Sequence, residues 1–156
     1  MHLIIRQISK DDYQEYLSMA KDFYEMPCCD HIVDISHFEN AFNFCLNDNP
    51  YAKLFMIELD SKIVGYGNIA LTYSIEAGGN VVWLEELYIK KEYRSLGIGK
   101  AFFEYVYQNY TAKRYRLEVT NCNTQAIKLY KQLGYTPLDY NQMIKDIDLY
   151  SILTNN

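Results

Sequence analysis

The hydrophobic and polar positions along the chain follow two different periods. Apolar residues recur at every third or fourth position in four segments, which predicts four amphipathic helices, at 13–24, 38–46, 98–106 and 124–133. Shorter apolar runs rich in β-branched and aromatic residues predict strands, at 3–8, 53–59, 62–74, 81–89 and 116–119. Residues 135–147 are interrupted by Pro137 and are expected to form one bent strand or two short ones.

Polar residues at the ends of these segments support the helix boundaries. Ser9 is followed three positions later by Asp12, and Ser36 by Glu39, and both pairs predict capping boxes. Asn123 is a favourable N-cap for the last helix, and Gly134 stands where a C′ residue with positive φ is expected.

Composition narrows the class of protein. With 156 residues, the chain is expected to form a single domain, 1–156. Its net charge of −5 argues against nucleic acid as a partner and is compatible with cationic substrates. No apolar run reaches the roughly 18 residues that span a bilayer, and no targeting segment is evident, so no membrane association is expected.

The four cysteines lack a pattern that would indicate disulfides or a metal site. They stand at 28, 29, 45 and 122, without a C-x-x-C pair, and the three histidines have no metal-ligand spacing. Reduced thiols in a cytoplasmic protein without a metal are therefore expected. Cys122 has no evident His or Asp partner and is interpreted as a bystander, not as a nucleophile.

A short basic loop between a strand and a helix is the first candidate for chemistry. The loop reads Arg94-Ser95-Leu96-Gly97-Ile98-Gly99-Lys100 and follows the strand at 81–89. N–H groups in the first turn of a helix have no intrahelical partner and lie at the positive end of the helix dipole, so they favour an anion. Gly97 and Gly99 lack the Cβ atoms that would hold a phosphate away, and Arg94 and Lys100 add positive charge.

Two common phosphate loops do not fit this stretch. A Walker loop needs glycine where Arg94 stands and Ser or Thr where Ala101 stands, which weighs against phosphoryl transfer. A dinucleotide fingerprint needs a third glycine where Phe102 stands.

The remaining pattern, R-x-x-G-x-G, resembles the acyl-coenzyme A loop of the GNAT family of N-acetyltransferases. A second stretch, residues 123–135, resembles the same family's later motif, N-x-x-A-x-x-L-Y-x-x-x-G-F/Y. It begins Asn123-Thr124-Gln125-Ala126-Ile127-Lys128-Leu129-Tyr130 and ends at Tyr135. The resemblance implies an α+β fold, in which a central, mixed and mostly antiparallel sheet is flanked by helices on both faces. It also implies acetyl-CoA as co-substrate.

The resemblance assigns coenzyme contacts residue by residue. The loop would bind the pyrophosphate, the strand before it would hydrogen-bond the pantetheine arm where it splays from its neighbour, and Asn123 would add a contact. The implied set is Leu87, Tyr88, Ile89, Arg94, Ser95, Leu96, Gly97, Ile98, Gly99, Lys100 and Asn123. Helix capping alone would also explain Asn123, and a turn needing positive φ would also explain the glycines.

The resemblance makes Tyr130 the candidate general acid. In the family, the matching tyrosine points its hydroxyl at the coenzyme A sulfur, where it can protonate the departing thiolate. Tyr130 lies seven positions after Asn123, two helical turns along the same face. The alternative is that Tyr130 is only an apolar contact of the helix.

Glu85 and Glu86 are the candidate bases. Neighbouring strand residues point to opposite faces, so only one can reach a cleft unless the strand bulges. Polyamine acetyltransferases of the family read L-E-D-x-x-V at this place. The resemblance implies that Glu85, which matches the first acid, removes the proton from the amine, directly or through water. Glu86 could instead lie on an exposed face at a strand end. Tyr66, Tyr73 and the loop from Cys28 to His31 are guessed to shape the acceptor pocket.

These observations predict an N-acetyltransferase that transfers an acetyl group directly to a primary amine of a small molecule, and polyamine-like amines are the favoured acceptors. The alternatives are a protein, peptide or antibiotic amine, and a coenzyme A-binding sensor without turnover. The resemblance also makes a homodimer plausible, because several family members pair their C-terminal strands.

Overall fold

In a computed structural model, which describes residues 2–27, 33–47 and 49–147, one sheet forms the centre of the fold. Its strands lie in the order β1-β2-β3-β4-β5. Neighbours are antiparallel from β1 to β4, whereas β5 runs parallel to β4. The strands are β1 (Leu3–Gln7), β2 (Ala52–Leu59), β3 (Lys62–Ser74), β4 (Gly79–Ile89) and β5 (Arg114–Leu117).

In the described part of the chain, four α-helices cover the two faces of this sheet. They are α1 (Tyr13–Tyr24), α2 (Ile35–Leu46), α3 (Ile98–Asn109) and α4 (Thr124–Gln132). Side chains of α1 and α2 share one buried cluster with Tyr66 and Tyr88 of the sheet. Side chains of α3 and α4 belong to a second cluster, centred on Phe55 and Phe102. The predicted α+β fold, with a mixed, mostly antiparallel sheet between two helical layers, is therefore confirmed.

Two irregularities in β4 create the space for a site. Pairing with β5 runs from Val81 opposite Arg114 to Leu84 opposite Leu117 and stops there, so β4 has no β5 partner from Glu85 onward. On the other side, Asn68 of β3 pairs with Glu86 and the next β3 residue pairs with Leu84, which leaves Glu85 without a partner. This two-against-one arrangement is a β-bulge, and it bends the strand at the point where the sheet opens.

A glycine in β3 allows α3 to lie close to the sheet. A Cβ built on Gly67 would lie 2.2 Å from the ring of Phe102, which is completely buried. Any larger residue would push α3 outward, and with it the loop that precedes the helix. Gly67 therefore helps to set the height of that loop above β4.

The helix ends follow the predictions with one exception. Ser9 and Asp12 form a capping box, and Arg6 adds two hydrogen bonds to the Asp12 carboxylate at 2.7 and 2.8 Å. Asn123 caps α4 by accepting from the N–H of Ala126, and Gly134 has a φ of 88°.

The exception is the N-terminus of α2, where the predicted capping box at Ser36 is wrong. Asp34 is the cap instead, and its side chain accepts from the N–H of Ser36 at 2.8 Å, so the helix begins at Ile35.

The predicted C-terminal strand is also wrong for the residues that the structure describes. No strand or helix forms over residues 136–147. Pro137 lacks an N–H donor, and β5, the edge next to which a further strand would lie, is only four residues long. Apolar side chains of this segment consequently remain exposed, including Met143 and Ile144.

Candidate active site

The N-terminus of α3 is open toward solvent. Gly97 is its N-cap residue, with a φ of 81°, and no side chain caps it. The N–H groups of the first turn have no acceptor within the helix, and the helix dipole adds positive charge there. A Cβ built on Gly97 would meet no atom within 4 Å, so a ligand can approach the backbone. This backbone fits a phosphate or diphosphate.

The other residues of this loop divide between the solvent side and the core. Ser95 has a φ of 63°, and its hydroxyl accepts a long hydrogen bond, 3.5 Å, from the Gln125 side chain on α4. Leu96 and Lys100 are exposed, whereas Ile98 is buried in the second cluster and anchors the first turn of α3.

Arg94 lies back against the end of β4. Its Nε donates to the carbonyl oxygen of Ile89 at 2.8 Å, and the guanidinium carbon is 5.8 Å from the centre of the Tyr88 ring. Its Nη2 lies 3.6 Å from the Met26 sulfur, at the end of the segment that follows α1. Arg94 therefore ties the loop to the end of β4 and to the segment that follows α1.

Gly99 has a packing role that the sequence did not indicate. A Cβ built there would lie 3.4 Å from Leu129 of α4 and 3.7 Å from Leu87 of β4. The missing side chain thus brings α3, α4 and β4 together, and this reason applies in addition to the close approach of a phosphate.

The part of β4 that β5 leaves unpaired contains Leu87, Tyr88 and Ile89. On their β3 side these residues pair with Gly67, Tyr66 and Gly65. On the β5 side, this stretch has no strand partner in the described residues. Apart from the Ile89 carbonyl oxygen, which accepts from Arg94, its backbone can bind an extended ligand in the manner of an added strand. The pairing of β4 with β5 therefore ends just before the stretch at which the splay is predicted.

Tyr130 projects from α4 into the second cluster. Its ring centre lies 5.6 Å from that of Phe103 and 6.1 Å from that of Tyr135. Within the described part of the chain, its hydroxyl has no hydrogen-bond partner. Burial raises the pKa of Tyr130 above its ordinary value, so the phenol is protonated at neutral pH and able to donate a proton. Asn123, at the start of the same helix, is occupied as its cap.

Glu85 occupies the bulge and is exposed. The protein that partly surrounds its carboxylate raises its pKa, and the negative charges of Glu118 and Glu86 raise it further. Glu118 directly follows the last residue of β5 that pairs with β4, so the two carboxylates flank the opening between these strands. A raised pKa makes Glu85 a better proton acceptor than an ordinary glutamate.

Glu86, in contrast, is held within the first cluster. The Tyr24 hydroxyl donates to one carboxylate oxygen at 2.5 Å, and the Tyr66 hydroxyl donates to the other at 2.9 Å. Burial raises the pKa of Glu86, and the two hydrogen bonds act in the opposite direction. The interpretation of Glu86 as an exposed strand-end residue is therefore wrong.

The guesses about the acceptor pocket have mixed outcomes. Tyr66 does line this region, and the structure adds Tyr24, which sequence reasoning missed because nothing near it in the chain indicates its contact with Glu86, 62 residues away. Tyr73 lies at the far end of β3 and is 67% exposed. The guess for Cys28 to His31 falls outside the described residues.

Two further observations concern metals and membranes. In the described ranges, no group of three or more His, Cys, Asp or Glu side chains is placed to hold a metal ion. No helix there combines the length and apolar character needed to cross a bilayer.

Cys122 is exposed, with its sulfur 3.2 Å from the Thr120 hydroxyl.

Comparisons with known proteins agree with this geometry. Residues 10–135 match the acetyltransferase (GNAT) family. The chain is 31% identical over 142 residues to thialysine N-epsilon-acetyltransferase of Mus musculus, covering 83% of this chain and 82% of the relative. It is 26% identical over 137 residues to spermine/spermidine N(1)-acetyltransferase of Bacillus subtilis (strain 168), covering 74% of this chain and 90% of the relative.

A solved structure shares the fold. The crystal structure of a possible acetyltransferase from Clostridium difficile 630 superposes with a TM-score of 0.79 at 22% identity, covering 95% of this chain and 99% of that one.

Proposed function

Because the chain belongs to the GNAT family and is an acetyl-CoA-dependent N-acetyltransferase that acts on amines, we propose that its acceptor is the primary amine of a small, polyamine-like molecule. The observation that carries this proposal is the pair of carboxylates at the β4 bulge, one of them partly buried, beside the opening between β4 and β5. Carboxylates at this place attract a cationic amine. The relatives named for thialysine and for spermine and spermidine also act on amines carried by small molecules.

The proposed coenzyme site follows the backbone of the chain. The open first turn of α3, with Gly97 at its start, would hold the pyrophosphate. The unpaired edge of β4 from Leu87 to Ile89 would hydrogen-bond the pantetheine arm. When bound, acetyl-CoA supplies the activated acetyl group as a thioester. Binding both reactants at one opening would contribute much of the rate acceleration, since well-oriented reactions reach effective molarities of about 10⁵ to 10⁸ M.

The proposed chemistry requires two proton transfers by side chains. Glu85 would take a proton from the acceptor amine, directly or through water, so that the nitrogen lone pair can attack the acetyl carbonyl carbon. As the new C–N bond forms and the C–S bond breaks, Tyr130 would give its hydroxyl proton to the departing sulfur. The raised pKa of Glu85 suits its role, since Glu85 binds a proton more readily, and the raised pKa of Tyr130 keeps its phenol protonated until the sulfur departs.

Replacing Tyr130 by Phe tests this assignment. We expect kcat to fall about 10²- to 10⁴-fold, the usual contribution of a general acid, while the Kd for coenzyme A is retained. Thiol release with a panel of amines and calorimetry with coenzyme A measure the two quantities. Tyr107→Phe is the matched control, because Tyr107 lies on α3 and its hydroxyl meets only Tyr135, at 3.1 Å, in the described residues.

The outcomes of this experiment separate the alternatives. Coenzyme A binding without turnover of any amine would support a sensor and contradict the proposed enzyme reaction. Turnover of a peptide N-terminus or an aminoglycoside in preference to spermidine would contradict the proposed acceptor class. An unchanged kcat in Tyr130→Phe would show that Tyr130 is only a packing residue.

A homodimer and a cytoplasmic location remain predictions. The exposed apolar side chains of residues 138–147 favour association with a second copy, since exposed apolar patches commonly mark interaction surfaces. Light scattering of the full chain beside a variant with Met143 and Ile144 changed to Ser would test this, and a monomeric full chain would contradict it.

A further inference from the structure

Asn68 has an unusual hydrogen-bonding state. Among the residues that the structure describes, its Oδ1 is the one buried side-chain oxygen or nitrogen without a hydrogen-bond partner. Buried polar groups are normally paired, and one that is not lowers the stability of the folded chain. Such an atom calls for an explanation by a ligand or a function.

The position of Asn68 in the sheet connects it to the candidate active site. It stands directly opposite Glu86 in the register of β3 and β4, at the last pair before the bulge at Glu85. Directly opposed residues have their Cβ atoms only about 4.5 to 5.5 Å apart. Asn68 is therefore next to both carboxylates that the proposed function uses.

The face of the sheet on which Asn68 lies can be read from its neighbours. Tyr66 and Tyr88, two positions away on the two strands, contact each other in the first cluster beneath α1 and α2. Gly67, between Tyr66 and Asn68, faces Phe102 on the other side. Since strand residues alternate, Asn68 and Glu86 share the α1 and α2 face, which is the acceptor side of the sheet.

Several hydrogen-bond acceptors lie close together at this place, and one of them, the Asn68 Oδ1, has no donor in the described residues. Each oxygen of Glu86 accepts one tyrosine hydroxyl, whereas the Asn68 Oδ1 accepts no hydrogen bond from the described residues. The Asn68 carbonyl and the neighbouring carboxylates are therefore acceptors that lack a common donor. A primary ammonium group carries three N–H donors and no acceptor, so it complements this set.

We propose that Asn68 is a specificity-determining residue of the acceptor site, whose side-chain carbonyl accepts an N–H of the primary amine that becomes acetylated. This inference rests on the proposed function. The terminal torsion of an Asn side chain rotates easily, so Oδ1 can turn toward an amine entering over the bulge. A neutral carbonyl holds an amine in both its charged and uncharged forms, whereas a carboxylate favours the charged form, which cannot attack a thioester.

The test compares Asn68→Leu with Asn68→Asp in the full chain. Leu has a similar shape without the acceptor, and we expect it to raise the KM for spermidine tenfold or more, with the Kd for acetyl-CoA unchanged. The thermal midpoint without ligands should be equal or higher, because a buried unpaired acceptor has been removed. Asp keeps an acceptor and should retain spermidine binding, but its charge should move the pH profile of kcat to higher pH.

Asn80→Leu is the matched control, because Asn80 is an exposed asparagine at the opposite end of β4. It should change neither the KM for spermidine nor the Kd for acetyl-CoA. A structural role for Asn68 would lower the thermal midpoint of Asn68→Leu and leave the spermidine KM unchanged, and that result would overturn the inference.

The design separates this inference from the proposed function. If the wild-type chain binds spermidine by calorimetry without acetylating it, the proposed reaction fails, while loss of that binding in Asn68→Leu still supports the inference. If the wild-type chain acetylates amines and Asn68→Leu does so with the same KM, the inference alone fails. If the wild-type chain binds no spermidine, the inference is overturned, and acetylation of another amine would leave the acetyltransferase reaction standing.

Discussion

The two sides that we propose for the candidate site, one for the coenzyme and one for the acceptor, are built in different ways. The coenzyme side consists largely of main chain from one continuous stretch, the end of β4 and the open first turn of α3. The acceptor side consists of side chains from segments far apart in the sequence, since Glu86 bonds Tyr66 from 20 residues away and Tyr24 from 62 residues away. A site of main-chain groups needs glycines at set spacings and is visible as a motif, whereas a site of side chains is visible only after folding.

The same contrast holds for the hydrogen bonds that support each side. On the acceptor side, tyrosine hydroxyls donate to a partly buried carboxylate. In the second cluster, away from the first turn of α3, the Tyr107 hydroxyl lies 3.1 Å from the Tyr135 hydroxyl, and both groups are neutral. Hydrogen bonds to charged groups contribute more to stability than neutral ones, so the acceptor side should be the more sensitive to loss of a single hydroxyl.

The largest difference between the sides is expected when such a hydroxyl is removed. Tyr66→Phe should lower the free energy of unfolding by about 1.5 to 3 kcal/mol, whereas Tyr107→Phe should lower it by about 0.5 to 1.5 kcal/mol. Urea denaturation of both variants at neutral pH measures this. Tyr66→Phe should also raise the KM for the amine without changing coenzyme A affinity. Equal losses of stability in the two variants would contradict the comparison.

A smaller effect is expected on the coenzyme side, from the backbone of Gly97. An alanine at a φ of 81° is strained by about 1 to 2 kcal/mol. The free loop of Gly97→Ala should relax away from this conformation, and coenzyme A would then bind about tenfold more weakly, as measured by calorimetry.

Gly78→Ala is the matched control for this prediction. Gly78 has a φ of 72° in a distant turn, and like Gly97 it has no atom within 4 Å of a built Cβ. The control should be destabilised to a similar degree and should bind coenzyme A normally. A normal Kd in Gly97→Ala would show that the conformation of this loop does not limit binding.

The smallest effect concerns the pH dependence of stability. Burial raises the pKa of Glu86, so the folded state binds a proton that the unfolded chain releases. The stability linked to this proton is complete below the ordinary glutamate pKa of about 4.3, and it is lost as pH rises through the raised pKa. Glu86→Gln should therefore lose less stability than the wild type as pH rises. The slope of its free energy of unfolding against pH should differ from that of the wild type by less than about 1.4 kcal/mol per pH unit.

Asp12 provides a comparison of opposite sign. Hydrogen bonds from Arg6 are the main cause of its lowered pKa, so its contribution is present above the ordinary aspartate pKa and is lost as pH falls. In a plot of the free energy of unfolding against pH, Asp12→Asn should therefore reduce the loss of stability at acidic pH. Glu86→Gln should reduce the loss of stability at higher pH, above the ordinary glutamate pKa. Denaturant unfolding from about pH 3 to about pH 7 distinguishes the two, and a Glu86→Gln profile parallel to the wild type would contradict the assignment.

Where the sequence prediction failed, long-range information was missing. Periodicity correctly predicted the four α-helices and five strands of the described residues because each element must bury one face, and the Gly97 turn was predicted because few residues tolerate its φ. Residues 135–147 carry apolar side chains at intervals but form no strand in the described structure, because a strand needs a partner edge and periodicity does not supply one. The true cap of α2 was missed because Asp34 and Ser36 both carry capping side chains.

The sequence by itself determined the order of elements, the open turn before α3 and the family to which the chain belongs. These features depend on contacts between residues near one another in the chain, or on backbone conformations that only certain residues adopt. Only the tertiary structure decided that Glu85 lies in a bulge, that Glu86 binds Tyr24 and Tyr66, and that Asn68 has an unpaired oxygen. The physical reason is that strand register and helix docking bring these side chains together, and neither is encoded in the local spacing of residues.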